Sequence, residues 1–357
     1  MVGIIFIGDL RYCPYLSKYV NILEEKNIDY EVLYWNREDA ILKDPKNYFS
    51  FNLKSRLNRN PIFKIKDFIS FRCWLKNKIN LTKYEKLILL STLSGIIISD
   101  ILIKKYIQKY IFDIRDFSYE NYRFFLKREE NLIKNSYSSY ISSKGFENFL
   151  PIGYKYNIIH NFNKNDLRKG KKFFKKPYGS TLNIVWIGAI RYFEHQKKII
   201  DKLCNDNRFK LIYHGTGPQF DIFKKYCNDN NATNVIFTGE YNNNEKYKLL
   251  EDADILNNSY NTSKIMEVKY AISNKYYDGL IFGIPQLVEI ETFKSEIVES
   301  NGVGIALNPQ DKKFADELYD YYYEIDEETF NNYCKSEIKK VLLEDEECMN
   351  SIKKFLC

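Results

Sequence analysis

The chain of 357 residues is too long for one compact α/β core and suits two domains, each able to bury a full core. Its 45% hydrophobic and 28% charged residues are ordinary for a soluble globular protein. Seven cysteines without a C-x-x-C pair, no secretory signal pattern and no apolar tract of the ~20 residues that span a membrane indicate a cytoplasmic protein with reduced thiols.

Strands and helices alternate in the first domain, which we place at residues 1–162. The predicted strands are 2–7, 30–35, 86–90, 110–114, 137–141 and 157–160, and the predicted helices are 16–26, 96–108 and 119–135. This alternation predicts a parallel sheet with helices on both faces. Ligands of such sheets bind beyond the carboxyl ends of the strands, so the loops that follow strands are the places to look for function.

The net charge of +7 is concentrated in the segment 52–86, which carries ten basic residues and two acids with aromatic and aliphatic residues between them. One interpretation is a peripheral contact with the anionic inner face of the plasma membrane, where each basic group contributes on the order of 1 kcal/mol. The other is a solvated helical face that docks on the sheet. No nucleic acid partner is predicted, because no DNA- or RNA-binding motif accompanies the charge.

A lysine-rich stretch, 163–180, is predicted to be a linker, and a second domain is placed at 181–342. Its predicted strands are 182–187, 209–213, 234–237, 255–257, 286–289 and 303–307, and its predicted helices include 196–205, 219–230, 245–251 and 330–344, with a further helix at 348–355. The fold class predicted from the sequence is therefore α/β, with two doubly wound parallel-sheet domains in tandem.

The most informative segment is NKYYDGLIFGIPQLV, which begins at Asn274. Ser273 and Asn274 can cap a short helix, which leaves the free N–H groups and the positive dipole end around Lys275 for an anion. Asp278 follows in the first turn, where a carboxylate can bind both hydroxyls of a ribose whose phosphates lie on the helix start. Gly283 then ends the helix before a buried strand. This pattern predicts a nucleotide-sugar site.

The segment resembles the donor-binding helix of the GT-B glycosyltransferases, most closely the large retaining family numbered four, whose members carry an acidic residue five positions before Gly-x-Pro. Asp278, Gly283 and Pro285 match that spacing. The resemblance implies two Rossmann-like domains facing a cleft, and a C-terminal helix, 343–357, that crosses back to the first domain. Members often carry a second glutamate eight positions earlier, but this chain has Tyr270 there, which leaves the identity of the transferred sugar open.

Other donor-binding candidates follow the strands of the second domain. Gly188 and Arg191 follow the strand 182–187, and Lys197 lies on the next helix, where the resemblance implies a glycine and basic residues that hold the diphosphate. A surface salt bridge is the alternative for Arg191, and a plain tight turn is the alternative for the loop after 234–237. The remaining donor-binding candidates are Gly215, Gly217 and Thr238.

Two candidates lie in the first domain. Gly8 follows the first strand and is expected to face the donor. The sequence Asp113-Ile114-Arg115-Asp116 ends another strand and resembles an Asp-x-Arg-Asp motif of bacterial polysaccharide glycosyltransferases, in which Asp116 would orient or deprotonate an acceptor hydroxyl. The alternative is a structural ion pair in which Arg115 ties a neighbouring aspartate to the loop.

We therefore predict a glycosyltransferase that moves a sugar from a nucleotide-diphosphate sugar to a glycan or polyprenyl-linked glycan in bacterial surface polysaccharide synthesis, with retention of configuration. No cofactor or metal is predicted, because the start of the donor helix, Arg191 and Lys197 would stabilise the charge of the leaving diphosphate. Two alternatives remain open. They are a nucleotide-sugar epimerase of the same fold and a non-catalytic binding subunit.

Overall fold

The computed structural model describes residues 1–38, 44–55, 61–260 and 266–357. Within these residues the chain divides into two compact units, Met1–His160 with Glu344–Cys357, and Asn161–Leu343. Each unit has one parallel sheet and its own hydrophobic core. The predicted α/β fold class, with two doubly wound parallel sheets, is confirmed.

The first unit is built on seven parallel strands. They are β1 (Val2–Phe6), β2 (Tyr30–Asn36), β3 (Tyr48–Asn52), β4 (Lys86–Leu90), β5 (Tyr110–Ile114), β6 (Ser138–Ile141) and β7 (Tyr156–Ile158). Their order in the sheet is β3-β2-β1-β4-β5-β6-β7. The central strands β1, β4 and β5 are almost wholly apolar because helices cover both of their faces. The half-buried edge strand β3 was not predicted.

The helices of the first unit are α1 (Leu16–Glu25), α2 (Pro61–Thr82), α3 (Thr92–Ile96), α4 (Ser99–Lys105) and α5 (Arg123–Asn135). The helix predicted at 96–108 was wrong in its bounds, because the backbone leaves helical dihedral angles at Ile98 and separates α3 from α4. Among the described residues, no helix combines the length and the hydrophobicity that crossing a bilayer requires.

The second unit has a six-stranded parallel sheet in the order β10-β9-β8-β11-β12-β13. Its strands are β8 (Leu182–Ile187), β9 (Phe209–His214), β10 (Val235–Gly239), β11 (Ile255–Asn257), β12 (Gln286–Val288) and β13 (Gly304–Ala306). Its helices are α6 (Phe193–Leu203), α7 (Phe220–Asp229), α8 (Lys246–Leu249), α9 (Met266–Tyr270), α10 (Asn274–Phe282), α11 (Phe293–Ser300) and α12 (Phe314–Glu324). All six strands predicted here are present within two residues.

The stretch 163–180 belongs to the second unit. Phe173 is buried in the core of that unit, with its ring 5.0 Å from the ring of Phe330, and its backbone N–H donates to Asn331 Oδ1 at 2.8 Å. This part of the predicted linker is therefore packed against the second unit, while the exact domain boundaries remain a prediction.

The C-terminal residues form one helix, α13 (Glu327–Leu356), and the two helices predicted at 330–344 and 348–355 were wrong in being separate. Residues 345–347 are Asp-Glu-Glu, without glycine or proline to end a helix. The last three turns of α13 belong to the first unit, where Cys348, Ile352 and Phe355 join the core around β1.

Candidate functional site

The loops after β8 and β9 meet at the carboxyl edge of the second sheet. Gly188 and Gly215 have left-handed backbones, with φ of +115° and +126°. A Cβ on Gly215 would lie 2.1 Å from the carbonyl oxygen of Gly188, and a Cβ on Gly217 would lie 2.5 Å from that of Ile190. Packing of one loop on the other therefore requires glycine at positions 215 and 217, while at Gly188 only the backbone angle favours it. The contact of these glycines with a nucleotide remains a prediction.

Thr238 is the residue before the last one of β10, beside the same loops. Its hydroxyl lies 2.8 Å from Nδ1 of His214, whose pKa is lowered by burial. The backbone N–H of Gly215 donates to the carbonyl oxygen of Gly239 at 2.8 Å. The end of β10 is thus tied to the end of β9, and a role of Thr238 at the base remains a prediction.

The predicted donor helix is α10, which begins at Asn274 and ends at Gly283, whose φ is +60°. Ser273 occupies the N-cap position, but no side chain caps the helix. The expected capping bond is absent because the Ser273 hydroxyl donates to Asn258 Oδ1 at 2.5 Å and Asn274 Oδ1 accepts from Asn161 at 2.9 Å. Both side chains instead fix the start of α10 to neighbouring loops.

Asp278 lies one turn into α10 and is buried. Its Oδ1 is 2.5 Å from Nζ of Lys246, the first residue of α8, and the same ammonium is 3.0 Å from Asp166. Burial raises the pKa of Asp278, and Lys246 opposes that rise. Asp278 and Asp166 therefore share one lysine as their ion-pair partner. Its contact with a ribose remains a prediction.

Lys275 is the most unusual residue of this edge. Its ammonium lies 3.3 Å from the ring centroid of Trp186, which is on β8, and donates to the Tyr260 hydroxyl at 2.9 Å. Burial lowers the pKa of Lys275 well below its ordinary value, and the nearby cations Lys294 and Arg191 lower it further. Within the described part of the chain, no carboxylate binds this ammonium.

A second buried lysine, like Lys275, has its ammonium over the ring of Tyr260. Lys294, on α11, has its ammonium 4.1 Å from that ring centroid and 3.0 Å from Oε2 of Glu289, which follows β12. The backbone N–H of Tyr260 donates to the same carboxylate oxygen at 2.8 Å. Sequence reasoning missed these three residues. The rule that ligands lie after strand ends could have found Glu289 and Tyr260, but nothing in the sequence marks Lys294 as a neighbour of Lys275.

Arg191 is exposed in the loop after β8, yet it is near enough to the buried cluster to add to the lowering of the pKa of Lys275 that burial causes, and to oppose the rise that burial gives the pKa of Tyr260. Asp278 also acts on Lys275, and the structure brings together three basic residues, Arg191, Lys275 and Lys294, with the carboxylate of Glu289. We call these four residues with Tyr260 the cationic cluster. An excess of positive charge at a strand edge favours an anionic ligand.

Lys197 faces a different way. Its ammonium lies 4.9 Å from the ring centroid of Tyr226 on α7. The preceding residue, Gln196, is the one directed toward the sheet edge, where it is fully buried and donates to the Ser259 carbonyl at 2.7 Å. Placement of Lys197 at a diphosphate is therefore a prediction that this geometry does not favour.

The first-domain candidates lie at the carboxyl edge of the first sheet. Gly8 follows β1 closely, and a Cβ there would lie 3.0 Å from the ring of Phe6. Arg115 forms a buried ion pair with Asp113, with its Nε 2.7 Å from Oδ1. This is the ion pair that the alternative interpretation of the motif predicts. Asp116 is exposed beyond the end of β5, so a role toward an acceptor remains a prediction.

Among residues 1–38, 44–55, 61–260 and 266–357, no group of three histidine, cysteine or acidic side chains is arranged to hold a metal ion. Asp254, one of two aspartates before β11, instead accepts from Lys176 and from the backbone of Asn183 at 2.6 and 2.7 Å. These aspartates lie at the amino end of their strand, away from the cationic cluster.

No family model and no curated protein matches the sequence of the chain. Its structure is similar to sucrose-phosphate synthase from Thermosynechococcus elongatus, with a TM-score of 0.69 and 12% identity over 98% of this chain and 96% of that one. Anabaena Alr3699/HepE in complex with UDP gives a TM-score of 0.69 and 12% identity over 99% and 100% of the two chains. The lipopolysaccharide outer core galactosyltransferase WaaB gives 0.57 and 15% over 94% and 99%. The chain therefore has the GT-B fold of these glycosyltransferases.

Proposed function

We propose that this chain is a glycosyltransferase that takes a sugar from a nucleotide-diphosphate sugar. The observation that carries the proposal is the ammonium of Lys275, which is buried at the start of α10 with other cations around it and binds no carboxylate within the described residues. A diphosphate is an anion that suits such a place, because helix N–H groups and buried cations stabilise phosphate strongly. HepE, a structural relative at 13% identity, has been solved with UDP-glucose.

The chemistry follows from the charge. When the bond between the sugar C1 and the phosphate oxygen breaks, the electron pair leaves with the diphosphate, whose negative charge grows. Lys275, Arg191 and Lys294 stabilise that charge in place, so the departing group needs no metal of its own. The acceptor oxygen forms the new bond to C1 and its proton passes to the leaving phosphate, which gives retention of configuration by attack on the same face. Asp116 orients the acceptor hydroxyl.

The acceptor that we propose is a glycan or a polyprenyl-linked glycan of a bacterial surface polysaccharide. Support comes from the motif around Asp116 and from WaaB, a relative that acts in the lipopolysaccharide outer core. An epimerase and a non-catalytic subunit are the alternatives. A labelled donor distinguishes the three possibilities. An epimerase consumes the donor without an acceptor, a transferase consumes it only when an acceptor is present, and a binding subunit does not consume it.

The donor site is tested by a thermal-shift panel of UDP, GDP, ADP and CDP. The nucleotide that fits adds about 2.7 kcal/mol of stability at 100 times its Kd. In Lys275→Met we expect the affinity for that nucleotide to fall on the order of 10- to 100-fold, as for loss of a hydrogen bond to a charged group. The matched control is Lys312→Met, an exposed lysine of the same unit. Equal shifts in both variants would refute the assignment of the diphosphate to Lys275.

We also propose that the protein contacts an anionic membrane surface through α2. Its outward side carries Ile65 and Ile69, which are 62% and 54% exposed, with Lys66 and Lys76 beside them, while Phe71 on the opposite side is buried. Apolar and basic groups mixed in this way favour an anionic interface. Residues 56–60 of the predicted segment 52–86 lie outside the described residues. Vesicle sedimentation of Ile65→Asn/Ile69→Asn tests this contact.

A further inference from the structure

A cavity of about 560 Å³ opens in the first unit, where α2 leads into β4 and α4 leads into β5. It therefore lies at the amino ends of these strands, on the opposite edge of the sheet from Gly8 and Asp116. Its volume falls in the range of ligand sites, on the order of 300–1,000 Å³. Because the loops that follow the strands are elsewhere, this cavity is separate from the donor and acceptor sites proposed above.

Three lysines surround the cavity, Lys83, Lys105 and Lys109. All three are exposed, and within the described residues no ion pair joins any of them to a carboxylate. The one acid in the lining is Glu85, which is 3.2 Å from the terminal ammonium of Met1. The cavity therefore has an uncompensated positive charge, which suits a phosphate group.

Two tyrosines form the buried part of the cavity wall. Tyr84 and Tyr106 are 3% and 6% exposed, and their rings form part of the lining. The Tyr84 hydroxyl donates to Glu31 on β2, so this ring is fixed to the sheet. Lys83 has a left-handed backbone with φ of 54°, which turns the chain sharply between α2 and β4. Lys83 and Lys105 thus each adjoin a buried tyrosine in the chain.

Two exposed apolar side chains lie close in the sequence to residues that line the cavity. Leu81, two residues before Lys83, is 81% exposed, and Ile107, next to Tyr106, is 51% exposed. A free phosphate in water gains nothing from apolar groups beside it, whereas a lipid headgroup places the acyl layer there. The two side chains therefore distinguish a membrane lipid from a soluble phosphate as the ligand.

We propose that this cavity binds the phosphate headgroup of an anionic membrane lipid, with Lys83, Lys105 and Lys109 around the phosphate and Leu81 and Ile107 in the acyl layer. The inference rests on the membrane contact proposed for α2 and adds a specific headgroup site to it. It does not depend on the donor, the acceptor or catalysis.

The test is sedimentation of the full chain with phosphatidylcholine vesicles, with and without phosphatidylglycerol. The variant is Lys83→Gln/Lys105→Gln/Lys109→Gln, and the matched control is Lys312→Gln/Lys335→Gln/Lys339→Gln, which removes the same charge from exposed positions of the second unit. We expect the wild type to bind only the phosphatidylglycerol vesicles. Partitioning should fall more than about tenfold in the cavity variant, since each basic group contributes roughly fivefold, and should fall far less in the control.

Three results would overturn the inference. One is equal partitioning of the cavity variant and the control, and another is equal binding of the wild type to both kinds of vesicle. The third is binding of inorganic phosphate, measured by calorimetry and lost in the cavity variant, without binding to phosphatidylglycerol vesicles. If Ile65→Asn/Ile69→Asn abolishes partitioning and the lysine variant does not, the α2 contact stands and the headgroup site is refuted. Nucleotide thermal shifts, measured on every variant, report separately on the donor site.

Discussion

Glu129 is a buried acid whose replacement should change the stability of the first unit. It lies on α5 with no measurable exposure, and neither carboxylate oxygen has a hydrogen-bond partner within the described residues. Burial, with a smaller contribution from Glu120, raises the pKa of Glu129 to about 9. In the unfolded chain it is about 4.5, so the carboxyl must take up a proton on folding at neutral pH.

The size of the effect follows from the two pKa values. Each pH unit between the unfolded pKa and the working pH lowers the free energy of unfolding by about 1.4 kcal/mol. At pH 7 the protein is therefore less stable by on the order of 3 kcal/mol. Because the folded pKa is the higher one, this stability is fully present below pH 4.5 and is lost as the pH rises toward 9. Glu129→Gln keeps the shape and polarity of the protonated side chain without requiring a proton. We therefore expect equal stability of variant and wild type near pH 4.5, and a variant about 3 kcal/mol more stable at pH 7.

Urea denaturation followed by tryptophan fluorescence measures the difference. The chain has three tryptophans, and Trp186→Phe in all proteins leaves Trp35 and Trp74 as reporters of the first unit alone. Reporting on one unit is needed because a two-unit chain does not unfold as a single two-state system. Glu130→Gln, at the exposed neighbouring position of α5, is the control. A difference between Glu129→Gln and wild type that stays constant from pH 5 to pH 8 would refute the reasoning.

Three further perturbations test the second unit. Lys246→Met leaves Asp278 and Asp166 without their shared cation. We expect the free energy of unfolding to fall by about 3 kcal/mol at pH 7 and by less at acidic pH, as measured by urea denaturation under both conditions. Gly283→Ala forces a side chain into a left-handed backbone, with its Cβ 2.6 Å from a backbone nitrogen; a loss below about 1 kcal/mol in the same assay would contradict the strain. His195 is half-buried, and the partial burial of its ring together with the nearby Lys294 lowers its pKa to about 4. Its imidazole NMR signals should not titrate between pH 8 and 5, and a midpoint near pH 6.5 would show that the ring is accessible to water.

The strands of the sheets could be predicted because each buried parallel strand is marked by its own short stretch of sequence. Strands β8 and β11 are short apolar runs between polar residues, and their bounds agree with the prediction. The edge strand β3 was missed because four of its five residues are only partly buried and the fifth is exposed, and its sequence YFSFN lacks a continuous apolar run. The break between α3 and α4 was missed as well, since the run Ile96-Ile97-Ile98 is apolar and contains neither glycine nor proline to mark it.

The candidate site was predictable only where a single segment encodes it. Lys275 and Asp278 follow from the start and phase of α10, a local pattern. Their partners could not be found in this way, because Lys246 and Trp186 are 32 residues and more away in the sequence and meet α10 only through the fold. The direction of Lys197 was missed because one position on a helix turns a side chain by about 100°, which directs Gln196 to the sheet and Lys197 to α7.

The continuity of α13 has a consequence for how the protein is made. Residues 344–357 complete the core of the first unit, yet they are synthesised after the whole of the second unit. During synthesis on the ribosome, the apolar surface around β1 on which Ile352 and Phe355 later pack is therefore still exposed. A nascent chain in this state is a natural client for chaperones. Any shortened version that ends before residue 344 would leave that surface permanently uncovered.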